Sequence, residues 1–440
     1  MNYVPKFTTR TKAHMRSNFW LMLERLVNIL SAFFIGVLVI RHLGPAQFGA
    51  LSYIMAVAFF LTAITKFGLD MIVVKRIVQF PEKTAAIIAS AWLIRILSAL
   101  MTIVFVAISL IFVELASIDS FYILLIAFGG LSQSFWVIEP ALNANENYRS
   151  LALSKITQSI ISALLRIVLI LLNAPLHYFV VAIVFDYLLL SFIYAVSQKV
   201  LLSFILLWKN INSEELRFLY RAALPILLSS LSVALYTKMD QVMIAHLLDI
   251  RSVGIYSAAV RIIEATYFLP VIFSSVCLPI LVRAKLSGNE RYEEYVRNIF
   301  SLMILAGAIV GSFLFIFAGT IVTALFGADY KEAVEPLRVL SLGTVFVYIG
   351  SLTTTAMIAN NLQRVIFIRT LSAAILNILL NYFLILKFGA IGASYATLIT
   401  FTFAAFLFDG LSKNTHYLMV LKLKGLVPQK SLFNLFFREG

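Results

Sequence analysis

Six cations of this chain, Arg25, Lys66, Arg95, Arg166, Lys238 and Arg261, stand inside long apolar runs. A charge at the centre of a bilayer costs about 2.5–3.5 kcal/mol even on the lenient insertion scale. Six would reach on the order of 15–20 kcal/mol, more than a typical net stability of about 5–15 kcal/mol. They cannot all face lipid. Each must snorkel to an interface, pair with a carboxylate or line a wet cavity; Lys66, near the end of its run, is placed to snorkel. The carboxylates in or at the ends of the same runs are Glu24, Asp70, Glu139, Asp186, Asp240, Glu264 and Asp409. Arg261 and Glu264 are three apart, a spacing that puts both on one helix face. Lys238 and Asp240, two apart, do not share a face, whereas Arg166 and Asp186 meet if their helices are neighbours. Each cation has two readings, a structural ion pair or a ligand group. As a set they point to a net-positive cavity suited to an anionic headgroup, with the guanidinium fork matching phosphate.

Other chemistries leave no pattern. No nucleophile stands beside a base, no cluster has metal-ligand spacing, and no glycine loop or Walker motif cradles a phosphate. No catalytic residue, metal site or bound cofactor is expected. Tyr236, Tyr256, Tyr267 and Tyr348 read as packing rather than sugar-stacking groups. His42 and His246, at outer turns, read as solvated. The single cysteine, Cys277, falls within a span, so no intramolecular disulfide forms.

The elements that must hold these charges are set by composition. With 61% hydrophobic and only 13% charged residues over 440 positions, the chain is far from the roughly 25% charged of soluble domains. Its apolar runs have the length of about 20 residues that crosses the hydrocarbon. They lie at 18–40, 47–69, 84–113, 119–142, 151–173 and 176–198, then at 222–248, 253–282, 298–325, 337–358, 365–387 and 390–412. The alternation of a membrane barrel is absent, so the expected fold is an all-α polytopic protein of about twelve transmembrane helices.

The first two runs are joined by Arg41-His42-Leu43-Gly44-Pro45-Ala46-Gln47-Phe48-Gly49-Ala50-Leu51-Ser52, a glycine–proline turn. The pattern returns from Ile244 to Ser257, aligning His42 with His246, Gly49 with Gly254 and Ser52 with Ser257. The chain therefore reads as two homologous halves, two pseudo-symmetric six-helix bundles that face the same way and are related by an axis along the membrane normal. Pro225, Pro270 and Pro279 mark the seventh and eighth spans, and the eighth as a candidate broken helix.

The net charge of +14 follows this topology rather than marking a nucleic-acid binder. With the amino terminus inside, 24 cations fall in cytoplasmic segments and five in outer loops, which places both termini in the cytoplasm. The first run lacks a cleavage site and is expected to remain as an anchor. The divisions are 1–17, a cytoplasmic amphipathic approach; 18–198, the first bundle; 199–221, a cytoplasmic link with an N-cap signal at Ser213-Glu214-Glu215; 222–412, the second bundle; and 413–440, a basic tail.

Leu43-Gly44-Pro45 with Gly49 and Ser52, Val253-Gly254-Ile255-Tyr256-Ser257-Ala258-Ala259, and Leu325-Phe326-Gly327-Ala328-Asp329-Tyr330 resemble signatures of bacterial polysaccharide flippases of the O-antigen type. These belong to the multidrug/oligosaccharidyl-lipid/polysaccharide (MOP) exporter superfamily, and the resemblance covers essentially the whole chain. Where that family's pattern often has an acidic residue before the Gly-Leu closing the second span, Lys66 stands here and Asp70 follows.

The resemblance implies a MATE/MOP-like fold in the bacterial inner membrane and a flippase, not an enzyme. A polyprenyl-diphosphate-linked oligosaccharide would move from the cytoplasmic to the periplasmic leaflet by alternating access. It further implies that Arg25 and Arg261, on helices matching those that carry cavity-facing basic residues in related flippases, hold the diphosphate, with Arg95, Arg166, Lys238 and Lys66 behind them. Glu264, Asp240, Asp186, Asp70 and Glu139 would balance charge or couple protons or sodium. Membrane lipids and other polysaccharide-assembly proteins are the expected partners of a monomer. A multidrug or cation antiporter of the same superfamily is the alternative, and a membrane polysaccharide polymerase or ligase a more distant one. The first would want an acidic cavity and the second a large outer loop.

Overall fold

The computed structural model describes residues 7–112, 118–197 and 208–426, and among these it contains helices and turns and no strand. Parts of three expected segments, 1–6, 199–207 and 427–440, lie outside the described residues. Phe7–Lys66 runs as one helix interrupted at Gly44, whose φ of 68° is open to glycine and costly for other residues. We call its two arms α1 (7–43) and α2 (45–66). Pro45 opens the second arm, where its missing N–H has no helical partner to lose.

The following helices are α3 (Asp70–Gln79), α4 (Thr84–Phe112), α5 (Ser120–Ala144, with a tighter central stretch at Gly130–Val137), α6 (Tyr148–Leu171) and α7 (Leu176–Ser197). Then come α8 (Ser213–Leu247), α9 (Ile250–Thr266), α10 (Phe268–Ser287), α11 (Asn289–Phe326), α12 (Val334–Leu342) and α13 (Thr344–Ala359). The last are α14 (Gln363–Phe388), α15 (Ala390–Leu411, containing a π-turn at Phe403–Leu407) and α16 (His416–Gly425).

Among the described residues ten helices are long and apolar enough to cross a membrane, or eleven when the pair meeting at a 42° bend, Ala328–Leu342 and Thr344–Ala359, counts as one span. The first of the ten, Met22–Gln79, is 58 residues long, more than twice a crossing. Gly44 divides it, and the twelve expected spans are accounted for.

The expected break in the eighth span lies between α9 and α10, at Tyr267. Pro270 has no N–H for the carbonyl of Thr266 four residues back. The Tyr348 hydroxyl donates to that carbonyl at 3.0 Å instead. The start of α8 differs from expectation. The cap is Asn212, whose Oδ1 accepts from the N–H groups of Glu214 (2.8 Å) and Glu215 (3.2 Å), and the helix continues unbroken into the membrane span. Asparagine accepts these bonds as readily as serine, so the cap falls one residue before Ser213.

The chain divides into two compact units, residues 1–43 with 54–234, and residues 44–53 with 235–440. The first packs Leu69, Val73, Trp92 and Ala141 with Leu219 and Ala223 of α8. The second packs Leu281, Tyr292, Phe300, Tyr348 and Met357 with Leu418 and Leu421 of α16. Segment 44–53 is thus part of the second unit's packing, although the residues on both sides of it belong to the first.

In the second unit the repeated turn motif acquires a physical meaning. Gly49 and Gly254 face each other at backbone distance. A Cβ on Gly49 would stand 1.8 Å from the Ile250 carbonyl oxygen, and one on Gly254 would stand 1.9 Å from the Pro45 carbonyl oxygen. The relation is reciprocal, because each glycine meets the residue four before the other. Two helix starts cross here with nothing but hydrogen at the closest point.

Candidate functional site

The structure resolves most of the intramembrane cations into ion pairs. In the first unit Arg95 is fully buried on α4 and donates to Asp70, the residue that opens α3. Lys66 reaches the same carboxylate at 3.8 Å and lies over the Trp136 ring at 5.4 Å. Arg166 and Asp186 meet between α6 and α7 as their positions suggested, at 2.6 Å, with Ser162 one turn back also accepting from the guanidinium. Glu139 at the foot of α5 accepts from Lys155, a lysine that the charge pattern assigns to the cytoplasmic side. Arg25 is different. It is exposed on α1 and has no ion-pair partner among the described residues, while its neighbour Glu24 accepts a 2.5 Å bond from Asn28.

In the second unit Lys238 on α8 bonds Glu264 on α9 at 2.9 Å. That carboxylate, three residues from Arg261, is therefore engaged by a cation from another helix. Asp240, two residues further along α8, turns to the opposite side, as period 3.6 demands. It is buried, accepts from the Tyr256 hydroxyl and from Thr397 at 3.0 Å, and its Oδ1 is buried without a hydrogen-bond partner. Tyr256 is therefore a carboxylate partner rather than simple packing. Arg261 is half-buried on α9.

Two cations surfaced only in the structure. Arg369, on α14, is buried and donates to Thr354 at 2.6 Å. Lys422, on α16 beyond the last span, is fully buried; it donates to Asp409 and, at 2.5 Å, to the carbonyl of Ala405 in the π-turn. Burial holds the Lys422 ammonium down to about 8, with Asp409 acting in the opposite direction. Arg369, Ala373, Asn377 and Asn381 are all buried at four-residue intervals along α14, and Asn381 donates to Asn377 at 2.9 Å. That polar stripe is a signal in the sequence. The charge count placed Arg369 on the cytoplasmic side and so hid it. Lys422 carries no comparable signal, because a lysine among tail lysines looks solvated.

His42 also corrects its expected role as a solvated turn residue. It is half-buried, its ring 5.6 Å from Phe179 and its Nε2 3.0 Å from the Ala174 carbonyl oxygen. His246 is exposed, its ring 5.8 Å from that of Tyr53. Among the described residues no group of three or more His, Cys, Asp or Glu side chains could hold a metal ion.

A polytopic α-helical chain with paired charges buried in its spans and a break in the eighth has the architecture of a membrane transporter. The family model described as polysaccharide biosynthesis protein matches residues 14–285, more than half of the chain, and a MatE model matches residues 225–383. The chain belongs to the polysaccharide biosynthesis protein family, in keeping with the resemblance of its turn motifs. A capsular polysaccharide biosynthesis protein of Staphylococcus aureus is 25% identical over 383 residues, 85% of this chain and 93% of that protein. A probable low-salt glycan biosynthesis flippase of Haloferax volcanii is 26% identical over 200 residues, 44% of this chain and 41% of its own length. The chain thus spans less than half the length of the archaeal relatives it matches. Among solved structures, a lipid II flippase in an inward closed conformation shares the fold at a TM-score of 0.69 and 17% identity, over 97% of this chain and 93% of that one.

Proposed function

We propose that this chain is a flippase that carries a polyprenyl-diphosphate-linked oligosaccharide from the cytoplasmic to the periplasmic leaflet of a bacterial inner membrane by alternating access. It works as a monomer with both termini in the cytoplasm and without enzymatic chemistry. The observation that carries this reading is Arg25: a fixed guanidinium on the first span, exposed and without a carboxylate among the described residues, in a chain of the polysaccharide biosynthesis family. An uncancelled charge inside a span is kept at a cost of about 2.5–3.5 kcal/mol. A diphosphate offsets it with two or more charge-assisted hydrogen bonds.

Arg261, half-buried on α9, is the second diphosphate ligand in this reading. Arg166 and Lys238 are each paired with one carboxylate, while Arg95 and Lys66 share Asp70 and keep one positive charge between them; these four shape the local field instead. The prenyl tail stays in lipid while the sugars cross through the wet interior. Asp240 is the preferred coupling carboxylate for a proton or sodium ion. It is buried, it has one oxygen without a partner, and the oxygen that is bonded accepts from two hydroxyls.

The alternative, a cation antiporter of the same superfamily, gains from the pairing just described, because Asp70, Asp186 and Glu264 cancel three of the six deep-span positive charges. One experiment separates the two. Purified protein in liposomes is given a fluorescent polyprenyl-diphosphate oligosaccharide on one leaflet, and its transfer is followed for wild type, Arg25→Ala and Arg261→Ala, each checked for folding. Transfer by wild type and its loss in either folded variant supports the flippase. Equal transfer by all three makes these arginines structural. Transport of cationic dyes with no lipid transfer, with or without an ion gradient, supports the antiporter.

A further inference from the structure

The first unit carries a basic cavity that the translocation reading does not use. It has a volume of about 650 Å³ and is lined by Arg76, Ser213, Glu214, Arg217, Phe218 and Arg221, with Ala222 behind them. Arg76, on α3, is held rigidly. Its Nε and Nη2 donate to the two oxygens of Glu215 at 2.9 Å each, and its guanidinium carbon lies 4.1 Å from the Phe80 ring centre and 4.4 Å from that of Phe218. Only two of the five N–H groups of a guanidinium are spent in that fork. Glu215 is almost fully buried and also has Lys83 at 3.6 Å. Arg217 and Arg221 are exposed, one turn apart on α8, and have no ion-pair partner among the described residues. The arginine side of the cavity is therefore positive beyond what Glu214 and Glu215 neutralise.

The helix face continues in a telling way. Arg217, Arg221, Leu224 and Leu228 follow one another at spacings of four, three and four, which keeps them on one face of α8. Leu224 and Leu228 are 41% and 53% exposed, and Phe218 is 43% exposed. Charge gives way to bare hydrocarbon along a single line, the profile of a phospholipid from headgroup to acyl chain. A soluble anion would have no use for the apolar continuation.

We propose that this cavity binds the phosphate of an anionic lipid headgroup, with the acyl chains laid along Leu224 and Leu228. The site does not depend on which lipid the protein carries. It anchors the junction of α3 and α8, where the Arg76–Glu215 fork already ties the two helices together. Arginine serves here better than lysine because one planar fork can bond two phosphate oxygens while the neighbouring aromatic faces hold the plane.

The test is native mass spectrometry of the purified full chain in detergent, titrated separately with phosphatidylglycerol, phosphatidylcholine and inorganic phosphate. Wild type, the R217Q/R221Q double variant and R291Q, an exposed arginine elsewhere, are compared. Both substituted arginines are solvated, so the fold is not at stake. Phosphatidylglycerol is expected to be retained over phosphatidylcholine. In R217Q/R221Q its affinity is expected to fall about 30-fold, at about fivefold for each basic residue near an anionic surface, with R291Q like wild type. Unchanged retention in the double variant, or an equal loss in R291Q, overturns the site. Displacement of the lipid by inorganic phosphate at comparable concentration overturns the lipid assignment.

Discussion

Replacing Gly49 by alanine is a small change with a large predicted consequence. The added methyl carbon falls 1.8 Å from the Ile250 carbonyl oxygen, about 1.6 Å short of the 3.4 Å at which ordinary contact begins, and 2.9 Å from the Gly254 nitrogen. Both obstacles are backbone atoms of a helix start, so no flexible side chain can swing aside. Either the two helices separate by more than an ångström or one start unwinds. Overpacking costs about 1–3 kcal/mol when side chains can adjust. With backbone on both sides the upper end applies, about 3 kcal/mol, or a fall in Tm of roughly 6–12 °C at 2–4 °C per kcal/mol for a unit of this size. Gly254→Ala, whose methyl carbon would stand 1.9 Å from the Pro45 carbonyl oxygen, should cost about the same. The double variant should cost less than the sum, because both substitutions force apart the same two backbones. Gly319→Ala is the control. Nothing lies within 4 Å of its Cβ position on α11, and alanine is favoured in a helix interior by about 0.5–1 kcal/mol. Thermal unfolding in detergent, followed by intrinsic fluorescence, reads all four variants. A Gly49→Ala protein that melts within a degree of wild type, or a strictly additive double variant, would refute the crossing.

Two further outcomes follow from the buried charges. Arg166→Leu leaves Asp186 partly buried without its cation and should destabilise by about 2–3 kcal/mol, less than a fully buried pair because both groups keep some solvent, whereas Arg166→Leu with Asp186→Leu should recover most of the loss; equal Tm values for the single and double variants would contradict this. Lys422, held down to about 8 in the fold, binds its proton more tightly in the unfolded chain, whose lysine titrates near 10.4. The unfolded state therefore holds more protons between these values, and stability should rise with pH from about 8 to about 10.4, the penalty being fully present below that window. Melting curves at pH 7.5, 8.5 and 9.5 should show this rise in wild type relative to Lys422→Met, and parallel curves for the two proteins would count against a depressed Lys422.

What could be read along the chain were the properties that each segment must satisfy alone. In hydrocarbon a helix closes its own backbone hydrogen bonds, so the twelve spans, the turn at Gly44 and the break enforced by Pro270 are written in local composition. The repeat of His42, Gly49 and Ser52 in His246, Gly254 and Ser257 was visible for the same reason. Its purpose was not. That Gly49 meets Ile250 and Gly254 meets Pro45 depends on two segments some two hundred residues apart crossing at one register. The charges divide likewise. Their presence in the spans was plain, but whether Glu264 is engaged by Lys238 or left to Arg261, whether Asp240 meets Tyr256 and Thr397, and whether Lys422 is solvated or sealed against Asp409 turn on helix rotation and packing. A rotation of 100° per residue moves a side chain from one neighbour to another without altering any local preference. The sequence by itself determined the apolar spans and the breaks at Gly44 and Pro270; only the tertiary structure decided the bend between Leu342 and Thr344 and which charges meet, because pairing depends on the relative rotation and depth of helices that local composition leaves free.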